Sequence, residues 1–244
     1  QMMSGNKEQK KWIGYEDKNI HHIKFPYPWE LEEITPKDFL NKCLEKLKKK
    51  IDLKKDICGF MLETFQGWGA IFYPKEFVKE ISKLCKQNKI LLTFDEMQAG
   101  FGRTGKKFGY EHYDVKPDLI CCGKGMGGGV ALSGVIGKKK IMDLPSVGEM
   151  SSTNSANPLA CVAGMSVIDE INNKKILKKV NENGKYLKTG LENIMYQNSS
   201  SIKYVMGKGM IYALIFDKEI PNIGMKLKKV CFSAMQNGLL VVYT

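Results

Sequence analysis

Arginine is almost missing from this chain: Arg103 is the single one among 38 lysines and arginines. Specific readout of phosphates and base edges usually exploits the planar guanidinium fork, so the formal net charge of +12 does not by itself imply a nucleic-acid partner. Many of the lysines, such as Lys42, Lys46, Lys48, Lys49 and Lys50, are mixed with Glu45 and Asp52 and read as solvated helix faces. Long hydrophobic runs are missing too. Stretches such as Ile211-Tyr212-Ala213-Leu214-Ile215-Phe216 are far too short to cross a bilayer, and no charged-then-apolar leader opens the chain, so a soluble protein without membrane contact is expected. None of the seven cysteines has the Cys-x-x-Cys spacing of metal and redox sites. The apolar neighbours of Cys58, Cys85, Cys121, Cys122 and Cys161 suggest buried reduced thiols, as in the cytoplasm.

What the chain does have is enough apolar material for a core. With 43% hydrophobic residues over 244 positions, one large domain and a smaller second one are expected. Thr35 can cap a helix that Pro36 begins and Asp38 complements, with Phe39, Leu40, Cys43, Leu44, Leu47 and Ile51 at helical spacing. Ile57 to Leu62 reads as a strand ending at Glu63, before the turn Gln66-Gly67-Trp68-Gly69. Pro74 opens a second helix with Phe77, Val78, Ile81, Leu84 and Cys85 on one face. Strands are expected at Leu91 to Phe94, Leu119 to Cys122 and Val130 to Gly137. Asn157 and Pro158 start a long, mainly apolar helix, and a more amphipathic one follows, marked by Ile176, Leu177, Val180, Leu187, Leu191 and Ile194. Beyond the polar break at Gln197 to Ser201, two strands lie around Gly207-Lys208-Gly209, then a helix and a last strand at Leu239 to Tyr243. The alternation implies an α/β fold with a mostly parallel sheet and a small α+β unit beginning near Asn173.

Two apolar runs each end abruptly in one charge: Leu91 to Phe94 at Asp95, and Leu119 to Cys122, through Gly123, at Lys124. Ligands of parallel sheets gather where the carboxyl ends of such strands open into a crevice. A carboxylate and a lysine delivered there, with the glycines Gly125, Gly127, Gly128 and Gly129 where a planar ring must approach, suit pyridoxal phosphate chemistry. Glu63 is expected to converge on the same place. A phosphate-loop reading of Gly123 to Gly129 is weak, because no serine or threonine follows the lysine.

The order Asp95-Glu96-x-Gln98, Gly-Phe-Gly-Arg-Thr, Asp118, an apolar strand and Gly123-Lys124, joined by Thr153-Asn154-Ser155-Ala156-Asn157-Pro158-Leu159-Ala160, closely resembles the class III pyridoxal-phosphate-dependent aminotransferases. The resemblance implies a fold type I transferase, with residues 1–172 in the large cofactor-binding domain and residues 173–244 starting the small C-terminal one. It implies that Lys124 carries pyridoxal 5'-phosphate as a Schiff base and moves the substrate proton. Asp95 is implied to pair with the pyridine nitrogen, Gln98 to bond the phenolic oxygen, and Glu63 to line the site. Thr153 is implied to reach the cofactor phosphate of the other subunit of a homodimer with shared active sites. Arg103 and Thr104 are expected to brace their loop. An amino donor and an oxo acid or aldehyde acceptor would be the substrates, with an aminomutase or other isomerase of the same fold, or a catalytically incomplete chain that binds only its partner subunit, as alternatives. The chain departs from the pattern at Trp68, where family members that alternate between an omega-amino donor and 2-oxoglutarate often have glutamate. An indole there offers either a flat apolar wall to substrate or a packed core ring. The family's phosphate-cradling turn and ring-stacking aromatic find no match before Trp29, nor its carboxylate-binding arginine before Thr244, so a partial sequence is expected.

Overall fold

Local chemistry starts the first long helix as expected. In the computed structural model, which describes residues 8–15, 17–173 and 175–243, the Thr35 hydroxyl accepts from the Asp38 N–H and α1 runs over Pro36–Lys48. A one-turn helix, α2, covers Leu53–Asp56 and is capped by Asp52. The strands β1 (Gly59–Glu63), β2 (Phe65–Gln66) and β3 (Ile71–Phe72) follow, and then α3 (Lys75–Asn88). Phe39, Leu40 and Leu44 of α1 and Phe77, Val78, Ile81 and Cys85 of α3 close over Leu92 and Phe94 of β4 (Leu91–Asp95). Each fully buried aliphatic or phenyl side chain of this kind contributes about 1.5–3 kcal/mol, which makes this cluster the main anchor of the sheet.

The sheet continues with β5 (Leu119–Cys122) and β6 (Gly134–Gly137), in the order β1-β4-β5-β6. β1, β4 and β5 are parallel, with Glu63 opposite Asp95 and Asp95 opposite Cys121, while β6 runs antiparallel to β5. The strand expected from Val130 is therefore shorter. β5 is spent in pairing Leu119 to Cys122 with Gly137 to Gly134, which leaves Val130 to Ser133 no ladder partner. β1 likewise begins two residues after Ile57. Asp118 locks the start of β5, accepting from the Leu92 N–H at 2.9 Å and pairing with Lys138 at 2.5 Å.

A one-turn helix, α4 (Lys139–Met142), leads to an exposed stretch and then to α5 (Pro158–Asn172), whose N-terminal amides Leu159 and Ala160 donate to the Asn157 side chain. Only Ala160, Gly164 and Ile171 of α5 are buried. Leu159, Val162, Met165 and Ile168 of this mainly apolar helix are exposed. α6 (Lys175–Gln197), the antiparallel pair β7 (Ile202–Lys208) and β8 (Ile211–Phe216), and α7 (Ile223–Gln236) complete the order. The final strand expected at Leu239 to Tyr243 does not form, since that segment pairs with no strand among the described residues. Nor is the expectation for the thiols met throughout. Cys85 and Cys122 are buried and Cys121 and Cys161 half-buried, but Cys58 is exposed, because its neighbour Ile57 takes the inward place against the core.

The β7–β8 turn docks beside the sheet's carboxyl end. The Met210 N–H donates to the Arg103 carbonyl at 2.9 Å. At Gly209 (φ +61°) an added β-carbon would stand 2.5 Å from that same oxygen, so glycine is required there. The Asn181 carboxamide of α6 donates to the Gly105 carbonyl at 3.1 Å. Among the described residues, no helix is long and apolar enough to cross a membrane.

Candidate active site

Parallel strands in register deliver their last residues side by side, and here those residues carry charge. Glu63 closes β1, Asp95 closes β4, and Lys124 comes two residues after β5. Burial raises the pKa of Glu63 above the usual carboxylate range, the Gly67 N–H opposes the rise, Asp95 adds to it by repulsion and Lys124 lowers it by attraction. One carboxylate therefore senses both other charges. The convergence expected from the sequence is present.

The loops that present these groups are tied to one another. Asp95 Oδ1 accepts from the Met97 N–H at 2.9 Å. The Met97 sulfur packs closely over Gly123, where an added β-carbon would come within 2.4 Å of it, so the loop that carries Asp95 touches the residue before Lys124. Lys124 opens a 3-10 turn, Lys124–Gly127, and is exposed. Its φ of +43° falls in the left-handed region, at a cost of about 1–2 kcal/mol for a residue with a β-carbon. Such strain persists where the surroundings over-determine it, as at ligand and catalytic positions.

Gln98 joins the group. Its Oε1 would lie 3.1 Å from a β-carbon built on Gly67, and Glu63 Oε1 3.9 Å from the same point. Trp68, the next residue in that turn, is 52% exposed, which removes the packed-core alternative and leaves a flat apolar surface next to the charged cluster. Thr153 lies in an exposed turn, and no hydrogen bond among the described residues links it to Glu63, Asp95 or Lys124. The Arg103 carbonyl, accepting from the Met210 N–H, and the Thr104 side chain tie their loop down. Thr104 is buried, with its hydroxyl 3.1 Å from His112 Nε2, and burial together with Lys208 holds His112 down at about 4.

Sequence reasoning placed Glu96 in the motif without a role. The structure shows it fully buried, accepting from the Thr64 hydroxyl at 2.5 Å, the Tyr110 N–H at 2.7 Å and the Gly109 N–H at 2.8 Å. Burial raises its pKa and the three donors oppose that rise. The signal was a carboxylate between a buried strand and apolar Met97 and Ala99, a place that demands donors. Which donors supply them depends on residues 13 to 32 positions away.

With this geometry in view, the chain matches the family Aminotransferase class-III over residues 2–244. It belongs to the class III aminotransferases. An acetylornithine aminotransferase of Caldanaerobacter subterraneus subsp. tengcongensis is 37% identical over 200 residues, covering 81% of this chain and 48% of that protein. A leucine/methionine racemase of Thermococcus litoralis is 34% identical over 237 residues, covering 92% of this chain and 52% of that protein. The taurine:2-oxoglutarate aminotransferase of Bifidobacterium kashiwanohense, solved in complex with PLP and glutamate, superposes with a TM-score of 0.85 at 26% identity, covering 99% of this chain and 58% of that one. The chain thus spans about half the length of the curated relatives it matches. The α/β fold with its mostly parallel sheet is that of this class III family.

Proposed function

We propose that this chain supplies the lysine-bearing part of a pyridoxal-phosphate-dependent aminotransferase that moves an amino group from an amino donor to an oxo acid or aldehyde. The observation that carries the reading is the shared field of Glu63, Asp95 and Lys124 at three adjacent strand ends. The donor set fits the cofactor: a carboxylate for a protonated ring nitrogen, a carboxamide for a phenolic oxygen, and an amine on a glycine-flanked turn. Bound there, pyridoxal phosphate would supply an electron sink for the pair left when a substrate proton departs. Asp95 would hold the ring-nitrogen proton, and Gln98 would orient the phenolic oxygen. Lys124 Nζ would anchor the group covalently, then take the proton from the substrate carbon and return it. Glu63, its pKa raised by burial and by Asp95 and lowered by Lys124, would line the cleft beside the lysine. Trp68 would form the apolar wall that a substrate side chain meets.

The reading includes a homodimer with shared sites, in a reducing cytoplasm. The exposed apolar residues of α5 and the exposed turn at Thr153 support the first, and seven free thiols support the second. It also assigns residues 1–172 to the large domain and residues 173–244 to the small one. The racemase relative favours one second reading, an isomerase using the same lysine. Appearance of the amino group on an added oxo acid separates the two.

The direct test is reduction of the pyridoxal-phosphate-loaded intact protein with borohydride, followed by peptide mapping. The label is expected on the peptide containing Lys124, and Lys124→Ala is expected to lose both the visible absorbance and amino transfer. Retained transfer in that variant would overturn the reading.

A further inference from the structure

One buried titratable group has no part in the chemistry above, yet it touches every strand that carries that chemistry. Through its side chain Glu96 holds Thr64, the residue after Glu63, at 2.5 Å. Through the chain it adjoins Asp95. Through its own N–H it donates to the Cys121 carbonyl at 2.9 Å, on the strand that leads to Lys124. The remaining acceptor positions take the Tyr110 and Gly109 N–H groups, which pins the 3-10 turn Gly109–Tyr113 under the same carboxylate. Thr64 is gripped from its other side as well: the Tyr113 hydroxyl donates to the Thr64 carbonyl at 2.5 Å and accepts from the Tyr73 N–H at 3.2 Å. There is no slack in this packing. A β-carbon on Gly109 would fall 2.5 Å from Thr64 Cγ2 and 2.8 Å from Ala99 Cβ.

We propose that Glu96 is the positioning residue of this site, tying the Glu63 strand end to that of Asp95 through its bond to Thr64 while its own N–H holds the strand that leads to Lys124. The inference rests on the functional reading above. A carboxylate that accepts from three donors is a rigid hub, and the polar groups flanking a ligand-binding residue typically tune affinity and the protonation of what is bound. Glu96→Gln keeps the volume but turns a donor toward backbone N–H groups. Thr64→Val keeps the shape and removes the hydroxyl, and Thr64→Ser restores it.

The experiment measures three quantities on the intact protein: the dissociation constant for pyridoxal phosphate, the pH midpoint of the bound cofactor's visible absorbance, and the thermal midpoint of the apoprotein. Glu96→Gln and Thr64→Val are expected to weaken cofactor binding about tenfold and to displace the pH midpoint, whereas Thr64→Ser returns both to wild-type values. If the first two variants lower only the thermal midpoint and leave affinity and pH midpoint at wild type, Glu96 merely staples the fold and the proposal fails. A wild-type protein that takes up no pyridoxal phosphate would instead overturn the functional reading, and this inference with it.

Discussion

At the carboxyl ends of β1, β4 and β5 the buried polar groups are met from within the chain, whereas from Leu144 to Ile168 many apolar side chains stand in solvent. Among the described residues no buried side-chain nitrogen or oxygen is left without a partner, and the densest bonding surrounds Glu96. Leu144 is 77% exposed, Met150 81% and Leu159 74%. Hydrogen bonds are directional and fail with small displacements, so the groups that meet a reacting molecule are best fixed by nearby backbone of the same chain. Apolar burial is non-directional and can be shared between chains. The two regions thus separate what this chain satisfies by itself from what the proposed dimer would cover.

The largest expected effect comes from breaking the polar side alone. Asp95→Asn preserves shape but removes the charge proposed to pair with the ring nitrogen, and turnover should fall by about a hundredfold or more, with the molecular mass in solution unchanged by light scattering. A comparable loss of mass would mean that the two regions are not independent. Next, Leu159→Glu combined with Val162→Glu should raise the dissociation constant of the proposed dimer by on the order of a hundredfold, as sedimentation would read it, because two exposed apolar side chains become charges on the face proposed to meet the partner. An unchanged sedimentation coefficient would show that this face stays in water.

A smaller effect is expected from acid. Burial and Lys208 hold His112 at about 4, against an ordinary 6.5, so between those values the unfolded chain binds a proton that the folded chain does not. The contribution is complete above pH 6.5 and declines as pH falls toward 4. After discounting for its partial solvent contact it amounts to about 1 kcal/mol, and urea titrations of His112→Gln should show a correspondingly flatter acid limb. Smallest is Trp68→Ala. With the indole 52% exposed, stability should change by less than about 1 kcal/mol, while KM for the amino donor rises several-fold and kcat is nearly retained. A large drop in thermal midpoint would show the ring to be packing rather than a wall.

Local signals were the legible ones. Thr35-Pro36 and Asn157-Pro158 start helices where expected, because capping is decided within three or four residues. Asp95 and Lys124 were visible as single charges after apolar runs, and their convergence with Glu63 followed from parallel pairing. Asking how Glu96 is satisfied leads to Thr64 and to a turn beyond the glycine loop, contacts without a sequence period. The same holds for β6, whose length is set by β5, and for Leu239 to Tyr243, an apolar run that resembles a strand but pairs with none among the described residues. Hydrophobicity said that α5 is apolar, but not that its apolar face would be left uncovered. Cys58 shows the limit at single-residue scale: apolar neighbours do not fix which side chain turns inward.

The left-handed backbone at Lys124 sets stability and activity against each other at a single position. Selection for robustness alone would favour glycine there, since it relaxes the turn without disturbing the sheet behind it. Under the proposed function, keeping a lysine means accepting a slightly weaker fold in return for a reactive amine. A stabilising screen of this chain that ignores catalysis should therefore recover Lys124→Gly among its gains, and so point to the proposed reactive position by the improvement that follows its removal.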